Sequence, residues 1–213
     1  FGPLSDSGLA QRVPTLYARG NHDGEGAAAT AYGAQPRKWF AVTVRGVRWI
    51  VLDSNDKTGG GNSSLIQPQL QWLENELQSE HARAALLRVV IVHIPPFLEF
   101  WEPETWRRGE SEWGRFVHDS CVSLFERFGV NVVISGHSHI YQRGTRNGVL
   151  YIITGGAGGE LEDVVNGRVQ NFGFYNVTRA VHHYGLLELG RCSARWRAFG
   201  LWGGDGHAMD EVE

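Results

Sequence analysis

The sequence predicts an α/β fold in which two β-sheets pack against each other with helices outside. Over most of the chain, short apolar runs rich in Val and Ile alternate with helical patterns, and strand patterns alone follow towards the end. Several of the apolar runs stop at a Gly or a Pro that is followed by polar side chains, which is typical of a strand reaching a sheet edge. No linker composition divides the 213 residues, so a single domain spanning residues 1–213 is expected.

The first 80 residues of the chain contain three predicted strands and one predicted helix. Arg12–Arg19 is expected to be a strand that leads into the loop Gly20-Asn21-His22-Asp23. Trp39–Val44 and Val47–Asp53 form a predicted hairpin around Arg45-Gly46. A helix is expected to begin at Pro68, where the missing N–H of proline costs nothing. Its buried stripe has helical spacing and consists of Leu70, Leu73 and Leu77.

The rest of the chain repeats the alternation and then closes with strands. Leu86–Val92 is a predicted buried strand, and the acidic, Trp-rich segment Leu98–Trp113 is expected to be an excursion that shapes specificity. A helix capped by Gly129 follows, with an apolar face made of Val117, Cys121, Leu124, Phe125 and Phe128. Four further strands are predicted, at Val132–Ile134, Val149–Thr154, Gly185–Leu189 and Ala194–Phe199.

Composition excludes several classes of function. The net charge of −3 and the pI of about 6.3 give no basic surface for nucleic acid, and no apolar run reaches the length of a membrane span. Cys121 and Cys192 are too few for a disulfide framework, so reduced thiols are favoured over a single bridge. Because the sequence begins at Phe1, a signal or transit segment could have preceded it, and both a secretory and a cytoplasmic location stay open.

Polar side chains with metal-binding chemistry follow three of the apolar runs. Asn21 comes after the first run, His93 comes directly after Val92 and before two prolines, and His137 and His139 come after Ser135-Gly136. In open α/β folds, ligands gather at the carboxyl edge of the sheet, so these side chains are expected to converge there. Neutral imidazole is the commonest protein ligand for transition metals. The pattern therefore predicts one metal site built from distant parts of the chain.

The ordered set GNHD, HxPP and GHxH resembles the calcineurin-like metallophosphoesterases. The segment GHSHIYQR is most similar to the branch that includes the purple acid phosphatases. The resemblance also covers Leu52-Asp53-Ser54, Gln71-Trp72-Leu73 and the run TGGAGG at Thr154–Gly159. It implies a four-layer α/β/β/α sandwich of two mixed β-sheets, with the first strands of the family fold missing from this chain.

The resemblance also implies a role for each site residue. One metal ion would be held by Asn21, His93 and His137, and the other by His139 with further ligands. The complete family site holds two ions, drawn from iron, zinc or manganese, and a metal-bridging hydroxide attacks the phosphorus of a phosphate ester. His22 would protonate the leaving group, and Asp23 would orient or charge His22. An adjacent carboxylate raises the pKa of a histidine and keeps its proton available, which agrees with that role.

Two other candidates are weaker. Arg143 could contact the phosphate of the substrate, although a structural salt bridge explains it equally well. His183, with its neighbour His182, could reach the site from a late loop, but a strand-start pair without a function is favoured.

The family pattern contains D-x-H and G-D blocks before GNHD, and this sequence contains neither there. A permuted D-x-H at Asp205-Gly206-His207 is disfavoured, because Arg197–Gly204 resembles a final strand and turn. Three interpretations stay open. The chain is a processed or partial product, which is favoured, or a truncated relative serving as a scaffold or binding subunit, or a chain whose site a partner completes. Alone, it is expected to hold one metal ion or none and to show little phosphatase activity.

Overall fold

A computed structural model describes residues 8, 12–23, 38–56, 65–98, 114–162, 174–191, 193–201 and 207–213. Within these ranges the strands are β1 (Phe40–Val44), β2 (Val47–Leu52), β3 (Leu87–Val92), β4 (Val132–Ser135), β5 (Tyr141–Arg146), β6 (Val149–Thr154), β7 (Val177–Arg179), β8 (His183–Leu189), β9 (Ala194–Gly200) and β10 (Asp210–Val212). They form a seven-stranded sheet with the order β1-β2-β3-β4-β6-β5-β7 and a three-stranded sheet with the order β10-β9-β8.

The described helices connect the parallel strands. They are α1 (Gln67–Leu77), α2 (Glu80–Ala84), and a continuous helix made of α3 (Arg115–Val117), a π-helical turn (His118–Val122) and α4 (Ser123–Arg127). The predicted helix start is confirmed, because proline occupies the first turn of α1. The predicted glycine cap is confirmed as well, since Gly129 has a φ of 64° just after α4. The short helix α2 was not predicted; the side chain of Ser79 caps it by accepting the N–H of Ala82.

Strands β2, β3, β4 and β6 are parallel and form the centre of the large sheet. A row of neighbours, Ile50, Val90, Val133 and Tyr151, crosses these strands and packs under the helices. The preceding residues on two of the strands, Val89 and Val132, face the opposite way and pack against Trp196 of the small sheet. Both faces of the parallel centre of the large sheet are therefore buried, which explains why β2, β3, β4 and β6 are largely apolar runs.

Two hairpins flank the parallel strands. The predicted turn between β1 and β2 is confirmed, with φ values of 50° at Arg45 and 82° at Gly46. The hairpin between β5 and β6 was not predicted, although Asn147-Gly148, with φ values of 48° and 81°, carries the strongest short-range signal for such a turn. The closing antiparallel pair is confirmed as β8 and β9, and the short strands β7 and β10 were not predicted.

The predicted strand Arg12–Arg19 is wrong. Residues 14–20 belong to neither sheet. The backbone carbonyls of Arg19 and Gly20 instead accept hydrogen bonds from the Asn55 side chain, at 3.1 and 3.0 Å. A side chain thus takes the place of a neighbouring strand at the end of this segment.

The described residues form three layers, namely helices, the large sheet and the small sheet. The outward face of the small sheet carries the exposed side chains of Tyr184 and Leu186. The fourth, helical layer implied by the resemblance is not among the described residues. Most of Leu98–Trp113 and Asp205-Gly206 lie outside them too, as does Cys192, whereas Cys121 is a fully buried free thiol. No helix in the described ranges is long and apolar enough to cross a bilayer.

Candidate metal centre

The carboxyl ends of the four parallel strands lie along one edge of the large sheet. Asp53 follows β2, His93 follows β3, Gly136 and His137 follow β4, and Gly155 follows β6. A cavity of about 400 Å³ opens at this edge. Its described walls consist of Asn21, His22, His93, His137, His139, Glu160, Leu161 and Glu162. The structure therefore brings together the four histidines and the asparagine that the sequence predicted to share one site.

Three donor atoms meet at one point of the cavity wall. The amide oxygen Oδ1 of Asn21 lies 2.9 Å from Nε2 of His93 and 3.1 Å from Nδ1 of His137. The two imidazole rings meet edge to face, with 5.2 Å between their centroids. Because an amide oxygen only accepts hydrogen bonds, each ring donates an N–H here when no cation is present.

This donor set fits a metal ion. Metal–ligand bonds of about 2.0–2.1 Å place neighbouring donors about 2.8–3.0 Å apart around an octahedral ion and about 3.3–3.4 Å apart around a tetrahedral one. The separations observed around Asn21, 2.9 and 3.1 Å, are close to these spacings. Small shifts, with the proton of each imidazole moved to its other nitrogen, would therefore let Asn21, His93 and His137 hold a cation.

Burial keeps both imidazoles neutral, as metal ligands must be. The pKa of His93 is lowered chiefly by burial. Burial, followed by the neighbouring His93, His22 and His139, lowers the pKa of His137 to about 4. At neutral pH these two side chains therefore offer lone pairs rather than positive charge.

His137 is held by an unusual backbone conformation. Its φ of 65° lies in the left-handed region, which is uncommon for a residue other than glycine. The N–H of Gly136 donates to the carbonyl of His93 at 3.0 Å, so the loop that carries His137 is tied to the end of β3. Two tight turns follow, with the N–H groups of Ser138 and Ile140 donating to the carbonyls two residues earlier, each at 2.8 Å. Backbone strain of this kind is often found at functional sites.

Buried polar groups hold the loop that carries Asn21. Besides the two hydrogen bonds from the Asn55 side chain, the carboxylate of Asp53 pairs with the guanidinium of Arg19 at 2.9 Å. Asp53 is fully buried, which raises its pKa, while the N–H of Asn55 and the charge of Arg19 oppose that effect. Gly20 fits tightly, since a Cβ there would lie 3.0 Å from the His93 ring.

His22 and Asp23 lie beside this donor set but are not paired with each other. The side chain of His22 lines the cavity and is exposed. The carboxylate of Asp23 accepts the N–H of Gly20 at 2.6 Å and so closes the turn around Asn21. The structure therefore shows that Asp23 shapes the loop; that Asp23 orients or charges His22 stays a prediction.

His139 also lines the cavity. Its Nδ1 donates to the carbonyl of Glu160 at 2.6 Å, and its backbone N–H donates to the carboxylate of Glu162 at 3.1 Å. In the described part of the chain, no three His, Cys, Asp or Glu side chains come together in a geometry that could hold a metal ion. These residues thus offer three donors, one of them an amide, to one cation and a lone histidine to a second.

Arg143 and His183 are not among the residues that line the cavity. The guanidinium of Arg143 binds both carboxylate oxygens of Asp210, at 2.5 and 2.8 Å. His183 is buried, with Nδ1 near the carbonyl of Val181 and Nε2 near the hydroxyl of Thr154, at 2.8 and 3.1 Å. The structure therefore shows the salt bridge that was the alternative for Arg143, and it places His183 at the start of β8.

Sequence reasoning missed the residues that hold the site in place. Asn55 anchors the loop of Asn21, and Glu160 and Glu162 hold His139. Only the apolar run that ends at Asp53 hinted that Asn55 lies at the same sheet edge. No local pattern marks Glu160 or Glu162, because both belong to an irregular loop.

Comparison with known proteins agrees with this geometry. The family model described as calcineurin-like phosphoesterase matches residues 2–141, more than half of the chain. The serine/threonine-protein phosphatase CPPED1 of Danio rerio is 28% identical over 170 residues, which are 75% of this chain and 53% of that protein. The Fe(3+)-Zn(2+) purple acid phosphatase 12 of Arabidopsis thaliana is 27% identical over 204 residues, 84% of this chain and 39% of that protein. The chain thus spans about half the length of these relatives or less.

Solved structures share the fold. The purple acid phosphatase PPD1 from yellow lupin (Lupinus luteus) seeds has a TM-score of 0.66 at 17% identity, covering 93% of this chain and 37% of that one. GAP50, described as the anchor in the inner membrane complex of Plasmodium, has a TM-score of 0.61 at 14% identity. The match covers 84% of this chain and 54% of that one. The mixed α/β architecture and the metal binding that the resemblance implied agree with these matches. The chain belongs to the calcineurin-like phosphoesterase family.

Proposed function

We propose that this chain carries the Asn–His–His half of a metal-dependent phosphoesterase site, within a single domain, and that the complete protein hydrolyses phosphate esters. The observation that carries the proposal is the meeting of Asn21, His93 and His137 at 2.9 and 3.1 Å, in a cavity at the carboxyl edge of the sheet. Family membership supplies the reaction class, which three converging side chains alone would not name.

The proposed metals are two ions drawn from iron, zinc and manganese, in line with the Fe(3+)-Zn(2+) named for the Arabidopsis relative. When bound, such ions neutralise the phosphate oxygens and make a bound water acidic enough to act as the nucleophile. Asn21, His93 and His137 would hold one ion and His139 would contribute to the other. The acidic ligands of that other ion would come from a preceding segment or from a partner chain.

His22 is proposed to be the general acid. It lines the cavity beside Asn21, exposed to solvent, so it can exchange its proton between turnovers. A proton is needed at the ester oxygen because an alkoxide is a poor leaving group, whereas a nitrophenolate leaves without help. Asp23 supports this role by closing the turn that positions His22.

The test compares two substrates in the longest natural form of the protein. The His22→Ala variant is expected to lower hydrolysis of an alkyl phosphate by about 10²- to 10⁴-fold and to affect p-nitrophenyl phosphate much less. Chelator should abolish both activities. Equal losses on both substrates would exclude His22 as the general acid, and activity unaffected by chelator would exclude the metal-dependent function.

A second experiment concerns the 213 residues alone. We expect metal analysis of the purified chain to give one ion or fewer and p-nitrophenyl phosphate hydrolysis to be weak, because the described residues offer only three donors for one ion. Two tightly bound ions in this chain would contradict that expectation.

The alternative function is a non-catalytic scaffold or binding subunit. It is favoured by the lack of a three-member His, Cys, Asp or Glu cluster in the described ranges, and by the likeness in fold to GAP50, a protein described as an anchor. The two functions differ in one measurement. The longest natural form of a scaffold would show no chelator-sensitive hydrolysis of either ester.

A further inference from the structure

We propose that Glu162 is a positioning residue, which clamps the backbone at Ser138-His139 so that the His139 ring offers Nε2 as its free nitrogen at the cavity. The proposal rests on the proposed function, because it supposes that His139 serves as a donor to a cation. Glu162 lies 23 residues after His139 in the sequence, on an irregular loop, and no motif marks it.

The clamp consists of three hydrogen bonds on one side of the turn. The Oε1 atom of Glu162 accepts the backbone N–H of His139 at 3.1 Å and the hydroxyl of Ser138 at 3.4 Å. The backbone N–H of Glu162 donates to the carbonyl of His139 at 3.2 Å. Both backbone polar groups of His139 are thus bonded to one residue, which fixes the direction of its Cα–Cβ bond.

The same loop selects the tautomer of His139. Nδ1 lies 2.6 Å from the backbone carbonyl of Glu160, and a carbonyl oxygen only accepts, so Nδ1 must carry the proton. In the neutral ring the lone pair then belongs to Nε2. A hydrogen bond of this kind from the far nitrogen is the usual support of a metal-binding histidine.

Close packing makes the arrangement specific. A Cβ at Gly159 would lie 2.6 Å from Cε1 of His139, and a Cβ at Gly155 would lie 2.0 Å from the carbonyl oxygen of Ser138. Neither glycine can therefore be replaced without moving the turn or the ring.

Glu160 provides a matched control for charge. Glu160 and Glu162 both line the cavity, so each contributes one acidic side chain to this part of the molecule. Only the backbone carbonyl of Glu160 holds His139, and the described structure shows no hydrogen bond or ion pair of its carboxylate. Glu160→Ala thus removes a similar charge while leaving every hydrogen bond of the clamp in place.

The experiment measures the tautomer of His139 in the full 213-residue chain without metal. Long-range ¹H–¹⁵N correlations of histidine-labelled protein report it, with His139→Gln used to assign the signal. The wild type and Glu160→Ala are expected to show the Nδ1–H form. Glu162→Gln should retain it because the amide oxygen still accepts, and Glu162→Ala should give a mixture of both tautomers. Zn²⁺ should then perturb Nε2 of His139 only at concentrations about 10- to 100-fold higher in Glu162→Ala than in wild type.

Two outcomes would overturn the proposal. One is a Glu162→Ala variant with the wild-type His139 tautomer and the wild-type response to Zn²⁺. The other is a Glu160→Ala variant in which the His139 tautomer and the Zn²⁺ response change as much as in Glu162→Ala. If Glu162→Ala does not fold, Glu162→Asp replaces it, because the shorter side chain withdraws the carboxylate from Ser138 and His139 while keeping its charge. A wild-type His139 signal in that variant would also overturn the proposal. The tautomer is read without metal or substrate. Failure of the clamp is therefore distinguishable from failure of the phosphoesterase function, which the two-ester comparison tests.

Discussion

Two clusters of polar side chains, one at the carboxyl edge of the large sheet and the other between the two sheets, use their polar atoms in opposite ways. The cavity set, Asn21, His93 and His137, directs its donor atoms to a common point on an open wall. The other cluster, here called the inter-sheet set, consists of Tyr141, Arg143, Trp196 and Asp210. Its side chains form hydrogen bonds with one another. Polar side chains thus serve binding or structure according to where their polar atoms point.

The electrostatics of the two sets differ accordingly. Burial lowers the pKa of His137 to about 4, so the cavity set is neutral. Burial alone would raise the pKa of Asp210, but the hydrogen bonds from Arg143 and Tyr141 outweigh it and lower the pKa. The inter-sheet set therefore contains a charged pair that neutralises itself, whereas the cavity set offers lone pairs to an external cation.

The largest expected difference between the sets is in cation binding. His137→Ala removes one of three donors and should weaken Zn²⁺ binding to the chain by roughly 100-fold, or about 3 kcal/mol. Asp210→Ala should leave the affinity unchanged, because the inter-sheet set does not line the cavity. Isothermal titration of both variants checks this, and an equal loss of affinity in the two would show that the sets are not independent.

The reverse difference is expected in stability. Asp210→Ala leaves Arg143 and the Tyr141 hydroxyl without their shared partner, which should lower the free energy of unfolding by about 3 kcal/mol. In urea titrations, the loss in Arg143→Ala/Asp210→Ala should be smaller than the sum of the two single losses, since both remove one pair. Strict additivity would contradict the internal pairing.

The two sets also differ in how they make folding stability depend on pH below neutrality. In the unfolded chain, His137 binds a proton below the ordinary histidine pKa of about 6.5. In the folded chain, it binds that proton only below about pH 4. Stability should therefore fall with decreasing pH across this window, by about 1 kcal/mol per pH unit for this group. His137→Ala should flatten the slope there. The depressed pKa of Asp210 has the opposite consequence: its stabilisation is complete above about pH 4 and is lost only below it.

Sequence reasoning reached His93 and His137 because they follow strands whose direction the apolar runs reveal. Asn21 was placed with them through the predicted strand Arg12–Arg19, which the structure does not contain. His93 comes directly after β3 and His137 comes two residues after the end of β4, so parallel pairing alone brings them together. The cavity was therefore predictable without knowledge of side-chain packing.

The rest depended on contacts that no local pattern encodes. The salt bridge of Arg143 joins β5 to β10, 67 residues later, and neither strand was predicted. Arg12–Arg19 has the composition of a strand, but whether a run pairs is decided by what lies beside it, and here that is the side chain of Asn55. The hairpin between β5 and β6 was different, because Asn147-Gly148 did carry a local signal for it.

A substitution in the β5–β6 hairpin is expected to have the smallest effect on stability. It provides a baseline for the variants in both sets. Gly148 has a φ of 81°, and a Cβ there would meet no atom within 4 Å. Gly148→Ala should therefore cost only backbone strain, about 1 kcal/mol in urea titration. Gly148→Asn should cost less, because asparagine tolerates the left-handed region. Since the turn lies far along β5 from Tyr141, neither variant should change Zn²⁺ affinity or the slope between pH 6.5 and 4. A change in either would mean that the register of β5 against β6, rather than the side chains alone, holds the two sets apart.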